Sequence, residues 1–411
     1  MQDHQIKTLA NGIRIVHKQV QNSKIAHCGF ILDIGSRDES PLQKGLAHFW
    51  EHMAFKGTEK RKSYQIINKL DTLGGELNAY TTKENICFYA SVLNDHTEKA
   101  IDILTDITFH SIFPEKQIEK ERNIILEEMS LYLDAPEDAI QDELDELIFT
   151  GHPLGSNILG TKESVNSFRQ SDFFYFIKSH LSTERLIFAS VSGLPFDKVL
   201  RIAEKFLIDL PSYKSGYQRD SFNNYIAKTK IDKKHIQQAH CAIGNIAYNN
   251  QQHERYAFSL LVNLLGGPAM NSRLNMLLRE KHGYVYSVEA NFSAFHDIGL
   301  FSIFFATEKK QLYRSVDLIL KELSRMAETP LGTAQLHKAK VQYIGQMAMA
   351  EENHMSLMLM LGKSLLLHDR IETFDEVVAK IRNISIRDVQ EAAQQVFDKT
   401  KLSFLYYLPK D

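Results

Sequence analysis

Apolar positions along the chain alternate between two rhythms. Gly12 to Val20 and Ala26 to Ile34 are rich in β-branched and apolar residues and predict strands, as does the stretch from Glu76 to Leu93 with Tyr80, Ile86, Phe88, Tyr89 and Val92. Between them, Leu42 to Phe55 and Ser63 to Leu73 carry apolar residues at helical spacing. Leu46, Phe49, Trp50 and Met53 form one stripe, and Gly74-Gly75 ends the second helix. Long amphipathic helices are predicted across Asn94 to Ser111 and Glu115 to Leu133, then a strand at Leu186 to Ser192 and a helix at Asp197 to Phe206.

From Leu210 to Lys230 the rhythm stops, and Pro211, Ser212, Ser215, Gly216 and scattered charges predict a linker. The order then begins again. His240-Cys241-Ala242-Ile243 parallels His27-Cys28-Gly29-Phe30 as an early apolar strand, and Gly266-Gly267 precedes paired strands at Tyr284 to Ser293 and Gly299 to Thr307. Helices across Lys310 to Glu328, Leu331 to Glu352 and Met355 to Leu367 and a last strand at Lys401 to Leu408 follow. The pattern predicts an α+β chain of two similar halves, with boundaries at 1–210, a linker at 211–230 and a second domain at 231–411.

Composition changes this picture little. A chain of 411 residues is long for one core, and 44% hydrophobic with 24% charged residues fits an ordinary globular protein. A formal net charge of -3 argues for neither nucleic acid nor membrane as a partner. Cys28, Cys87 and Cys241 sit in apolar strand-like runs, which argues against a disulfide framework or thiolate-held zinc. The Met1-Gln2-Asp3-His4-Gln5 start lacks a basic region before an apolar core, and no eighteen apolar residues run together, so a cytoplasmic location is the expectation.

The chemistry concentrates in His48-Phe49-Trp50-Glu51-His52. Two imidazoles one helical turn apart present their nitrogens to one ion, and Glu51 stays near the same face, which is the H-x-x-E-H order of the inverzincins. A catalytic zinc needs a third protein ligand. The best region to supply it is the helix from Ile118 to Met129, where Glu121 and Glu128 are seven apart and share a face with Ile118, Ile125 and Tyr132. Carboxylates on an apolar stripe require a partner, and a cation would serve. Solvent-facing pairs with Lys120 or Arg122 are the alternative, preferred for Glu119 and Glu127.

With Gly151-His152-Pro153-Leu154-Gly155 and the segment Arg279 to Tyr286, these residues make the whole chain resemble the M16 (pitrilysin-type) metallopeptidases, most of all those related to the mitochondrial processing peptidase β-subunit and its bacterial relatives. The resemblance implies two homologous α/β-sandwich domains of the LuxS/MPP-like metallohydrolase type, each a mostly antiparallel sheet packed with helices. It implies His48, His52 and Glu128 as ligands of one Zn2+ per chain, Glu51 as the general base and Glu121 as a carboxylate that orients a ligand or assists catalysis. Glu51 would take a proton from water and later deliver it to the leaving amine.

Further roles follow from the same resemblance. Arg279 and Tyr286 have the family's spacing for groups that serve substrate and transition state, with Tyr284 the alternative tyrosine; a surface arginine beside strand tyrosines is the bland reading. Gly74 to Thr82 resembles the family's edge strand, in which Asn78 offers its amide to a peptide backbone and small Ala79 lets the peptide near the metal; a structural hairpin is the alternative. The acidic run Glu137, Asp138, Asp142, Glu143, Asp145 and Glu146 reads as a solvated helix face, yet in processing-type relatives acidic residues here select basic residues, which points to Asp138 and Asp142. Family members close a chamber from four homologous domains, and this chain supplies two. The expectation is a homodimer, or a heterodimer with a homologous chain, acting on peptides or unfolded segments. The rival reading is a catalytically inactive M16-like structural subunit.

Overall fold

The apolar runs assemble into two sheets with one strand plan. A computed structural model describes residues 4–410; Met1, Gln2 and Asp3 of the polar start, and Asp411, lie outside the described residues. The first sheet contains β1 (Gln5–Thr8), β2 (Arg14–Gln19), β3 (Ile25–Leu32), β4 (Glu76–Thr81), β5 (Ile86–Leu93) and β6 (Leu186–Ser192), in the order β1-β2-β6-β3-β5-β4. The second contains β7 (Thr229–Lys234), β8 (Ala239–Ala247), β9 (Val285–Ala294), β10 (Gly299–Thr307) and β11 (Ser403–Pro409), in the order β7-β11-β8-β10-β9. Leaving out β1, the two orders match strand for strand. The pairing sense matches too, because β2 with β6 and β7 with β11 are parallel and every other pair is antiparallel.

Of the helices, the first half supplies α1 (Leu46–Ala54), α2 (Ser63–Asp71), α3 (Thr97–Phe109), α4 (Glu115–Asp134), α5 (Pro136–Ile148), α6 (Lys162–Ser167), α7 (Gln170–His180) and α8 (Phe196–Leu207). The second supplies α9 (Arg255–Gly266), a π-helical turn at Asn275–Lys281, α10 (Leu312–Glu328), α11 (Thr333–Glu351), α12 (His354–His368), α13 (Phe374–Asn383) and α14 (Ile386–Val396). Five α-helices separate β5 from β6, and five separate β10 from β11; α8, after β6, has no counterpart among the described residues. No helix among the described residues is long and apolar enough to cross a membrane.

The chain divides into two compact units, neither of them one uninterrupted stretch. The first takes the residues up to Met129, Ser156–Arg219 and Met349–Thr373; the second takes Ser130–Gly155, Asp220–Ala348 and the chain from Phe374 onward. Helix α12, from late in the chain, therefore covers β3 and β6, while α5, from early in the chain, covers β8 and β11. Burial explains why Leu186 to Ser192 reads as a largely apolar run. All seven residues of β6 are buried, with Phe188 in the first core and Ile187, Ala189 and Val191 under Leu357, Met358, Leu361 and Leu365 of α12.

Several elements lie where the apolar rhythm gave no warning. β1 is exposed along its length and β7 reads Thr-Lys-Ile-Asp-Lys-Lys, both edge strands whose polar character suits their place. Helix α14 carried a usable signal: Ser385 Oγ accepts from Asp388 N at 3.1 Å and Asp388 Oδ2 accepts from Ser385 N at 2.7 Å, a reciprocal cap. The helix predicted from Leu42 starts instead at Leu46. Gly45 has φ 90°, a left-handed conformation glycine tolerates, and the Glu39 carboxylate accepts from Gly45 N and Ala47 N at 2.8 Å each.

Candidate metal centre

Helix α1 is fixed from its apolar side. Leu46, Phe49, Trp50 and Met53 are fully buried, with Phe49 edge-on to Phe173 at 5.3 Å and Trp50 against Phe88 at 6.2 Å between ring centres. Burying four such side chains contributes several kcal/mol, at about 1.5–3 kcal/mol each. That packing holds the opposite edge of the helix still. There the Nε2 atoms of His48 and His52 lie 3.2 Å apart.

Helix α4 brings its carboxylates to the same place. Ile118 and Ile125 are fully buried on the face that carries Glu121 and Glu128, whereas Tyr132 on that row is 42% exposed and lies outside the core. Glu128 places Oε1 3.8 Å from His48 Nε2 and Oε2 3.6 Å from His52 Nε2. Among the described residues, His48, His52 and Glu128 are the one group of three or more metal-ligating side chains whose ligand atoms all lie within 4.8 Å. Ligand atoms around a tetrahedral zinc, at about 2.0–2.1 Å from the ion, are about 3.3 Å apart. The nitrogen pair already has that spacing, and the carboxylate presents a different oxygen to each imidazole, at 3.8 and 3.6 Å.

The proton arrangement also suits a cation. His52 Nδ1 donates to Glu121 Oε1 at 3.0 Å, which turns the Nε2 lone pair toward His48 and Glu128. Glu121 is 4% exposed, and its other oxygen takes Lys56 Nζ at 2.7 Å. Burial alone would raise its pKa, but the bonds from His52 and Lys56 prevail and hold it below the usual carboxylate range. Burial, with the neighbouring His52, pushes His48 down to about 3, so its imidazole is neutral and available as a ligand. His48 Nδ1 is buried and meets no acceptor among the described residues. Glu128 is pushed upward by burial, the cost a bound cation would remove.

Glu51 stands beside this cluster. Its Oε2 accepts from Thr81 Oγ1 at 2.6 Å, and burial raises its pKa above the ordinary value. Thr81 and Lys56 are the polar partners that motif reading did not single out. Lys56 lies two residues past the end of α1 and meets Glu121 of α4, so no spacing within its own helix flags it. Thr81 closes β4, whose contact with α1 depends on the sheet and leaves no local trace.

The remaining candidates are placed as follows. β4 is an edge strand, paired among the described residues only with β5; Asn78 is exposed, and its Oδ1 accepts from Ala79 N at 2.8 Å. In the second unit, Arg279 lies in the π-helical turn with its guanidinium carbon 5.5 Å from the centre of the Tyr286 ring, and that ring is 83% exposed at the start of β9. β9 is likewise an edge strand. Tyr284 is partly buried against the second core, and its carbonyl accepts from Thr307 Oγ1. Asp138 is exposed and Asp142 half-buried on α5, also in the second unit. The acidic face is not wholly solvated, because Glu143 binds Lys234 at 2.7 Å and Lys230 at 3.2 Å.

Comparison with known proteins agrees with this layout. Residues 14–162 match the model of the insulinase family, peptidase family M16, and residues 167–343 match that of the peptidase M16 inactive domain. The chain is 32% identical over 392 residues to an uncharacterized zinc protease, YmxG, of Bacillus subtilis (strain 168), covering 95% of each chain. It is 29% identical to an uncharacterized zinc protease of Rickettsia bellii (strain RML369-C), covering 97% of this chain and 96% of that one. Among solved structures, a peptidase M16 inactive domain from Pseudomonas fluorescens superposes with a TM-score of 0.91 at 16% identity, over 100% of this chain and 99% of the other. At that identity the likeness concerns the fold.

Proposed function

The chain belongs to peptidase family M16, and from that premise we propose that it is a zinc-dependent endopeptidase in which His48, His52 and Glu128 hold one Zn2+ per chain. The observation that carries this reading is the meeting of the three ligand atoms within 4.8 Å beside the Glu51 carboxylate. When bound, zinc polarises the scissile carbonyl and acidifies an attacking water.

Every other step belongs to side chains. Glu51, raised by burial and steadied by Thr81, takes a proton from the attacking water and delivers it to the departing amine. Glu121 keeps His52 in the tautomer whose Nε2 faces the ligand cluster, and Lys56 keeps Glu121 charged. The free edge of β4 pairs with an extended peptide by main-chain hydrogen bonds, reading backbone more than side chain. Asn78 then gives up its bond to Ala79 N so that this amide can meet the peptide. Arg279 and Tyr286 serve the substrate and the developing negative charge, in a homodimer where each site combines zinc ligands of one protomer with the Arg/Tyr pair of its partner. Asp138 and Asp142 receive basic residues of the substrate.

The test is cleavage of unstructured peptides by the purified chain alone, with zinc quantified, beside Glu51→Gln. Cleavage lost in the variant, with about one zinc per chain in both, is the expected result. Zinc without cleavage would assign activity to a second homologous chain or leave a scaffold role. Absence of zinc would overturn the site.

A further inference from the structure

Just past the histidine helix the chain runs Lys56-Gly57-Thr58-Glu59-Lys60-Arg61-Lys62 into α2. With Ile112, Pro114 and Lys116 from the segment leading into α4, this turn lines an open groove of about 850 Å³ in the first unit. Its lining holds five cationic side chains and one carboxylate, Glu59. Two of the five are already neutralised. Arg61 forks onto Asp102 and Asp106 at 2.5 Å each, and Lys56 binds Glu121. Lys60, Lys62 and Lys116 have no acidic partner among the described residues.

The turn is rigidly built. Thr58 Oγ1 donates to buried Asp106 at 2.7 Å and accepts from Arg61 N at 2.9 Å, Thr58 N donates to Arg61 O at 2.8 Å, and Gly57 takes a φ of 148° that a side chain would strain. The floor is apolar and open: Tyr64 is 61%, Ile67 47% and Ile112 36% exposed. Unpaired ammonium groups around exposed apolar side chains suit a segment that carries both carboxylates and apolar residues. The groove also begins beside the metal ligands, since Lys56 lines it and binds the Glu121 carboxylate that holds His52.

We infer that this groove is a substrate-binding exosite for acidic, apolar flanking segments of the peptide. The inference rests on the peptidase reading above and deepens it, because it adds a side-chain preference to recognition otherwise directed at the backbone. The concave shape and apolar floor favour a peptide over a membrane surface or a nucleic acid, for which a flatter or more extended basic face would serve.

Two peptides with one uncharged core, flanked on both sides by Glu/Leu or by Lys/Leu tails, test it. The wild type should cleave the acidic-tailed peptide with a KM about tenfold lower, as three exposed ion pairs can supply, and with a similar kcat. Lys60→Glu, Lys62→Glu and Lys116→Glu together should reverse the KM ratio, and the corresponding alanine triple variant should bring it near one. Binding of the fluorescent acidic-tailed peptide to Glu51→Gln, read by anisotropy, should weaken in the charge-reversed protein and as salt rises. This measurement stands even where no peptide is cut, so failure of the peptidase reading and failure of the exosite are separable. Equal KM values and salt-independent anisotropy would overturn the exosite. So would an unchanged KM ratio in the triple variant with loss of binding to anionic phospholipid vesicles or to a single-stranded oligonucleotide.

Discussion

Helices α1 and α9 hold the same place in the two strand plans: each follows the central antiparallel strand, β3 or β8, and leads toward an edge hairpin, β4–β5 or β9–β10. Their contents differ. α1 packs Leu46, Phe49, Trp50 and Met53 on one side and offers His48, Glu51 and His52 on the other, whereas α9 reads Arg-Tyr-Ala-Phe-Ser-Leu-Leu-Val-Asn-Leu-Leu-Gly and carries no histidine or carboxylate. A shared apolar plan sets where a helix goes, and a handful of polar side chains sets whether it can hold a metal. α9 offers no carboxylate or imidazole there, whereas in the first unit burial raises the pKa of Glu51 and of nearby Glu128, a cost that a bound cation would remove.

The comparison is broken most severely at Glu51. Glu51→Gln should lower peptide turnover by about 10²–10⁴-fold, the usual contribution of a general base, while zinc content and thermal stability stay near wild type. Steady-state cleavage, metal analysis and calorimetry on one preparation decide the matter. Full activity in the variant would mean that Glu51 is no more a base than any residue of α9. Next in size is Glu121→Gln, which removes the charged acceptor of His52 Nδ1 without removing a ligand. Zinc affinity should fall about 10–100-fold, measured by competition with a chelator. An unchanged affinity would reduce Glu121 to a partner of Lys56.

The exchanged helices extend the comparison to packing. In the first unit the helix supplies the glycine: a Cβ on Gly362 of α12 would come 2.3 Å from Ile31 Cδ1 and 3.2 Å from Ala189 Cβ. In the second the sheet supplies it, since a Cβ on Gly244 of β8 would come 2.6 Å from Ile148 Cδ1 and 3.1 Å from Leu144 Cδ2 of α5. Gly362→Leu should therefore destabilise the first unit by about 1–3 kcal/mol through overpacking. Chemical denaturation followed by limited proteolysis would locate the loss, and cleavage first within the second unit would contradict this account.

His48, Glu51 and His52 were legible because their chemistry lies in five consecutive residues, and Glu121 and Glu128 because their helical spacing is regular. The strands Leu186 to Ser192 and Gly299 to Thr307 were legible to the residue, since interior strands are buried on both faces for most of their length and read as largely apolar runs. Thr81 and Lys56 were not, because each bonds to an element far along the chain, Thr81 to Glu51 of α1 and Lys56 to Glu121 of α4. The reciprocal placement of α5 and α12 was invisible for a related reason. An amphipathic helix declares which face it buries and is silent on which sheet receives it. Edge strands β1 and β7 escaped because being polar is what keeps an edge from pairing further.

The smallest expected effect tests whether α5 and α12 hold their sheets by the same means. α12 meets β3 and β6 with apolar side chains and sets Lys363 over the Tyr80 ring of β4, whereas α5 brings a carboxylate: Glu143, partly buried, is bound by Lys234 and approached by Lys230. Burial would raise the Glu143 pKa, but the hydrogen bond and charge of Lys234, with the Tyr407 hydroxyl and the charge of Lys230, outweigh it and hold it below the ordinary value. A carboxylate with a folded pKa below its unfolded one binds fewer protons in the folded state. Its contribution is therefore complete above the unfolded value of about 4.3 and is lost as pH falls through the folded value. Glu143→Gln should cost about 0.5–1 kcal/mol at pH 7, as a partly exposed ion pair does, and progressively less below pH 4. Paired melting curves across that range measure it. A deficit that does not shrink on acidification would mean that Glu143 acts by packing alone, and that the charge adds nothing to how the second sheet holds its exchanged helix.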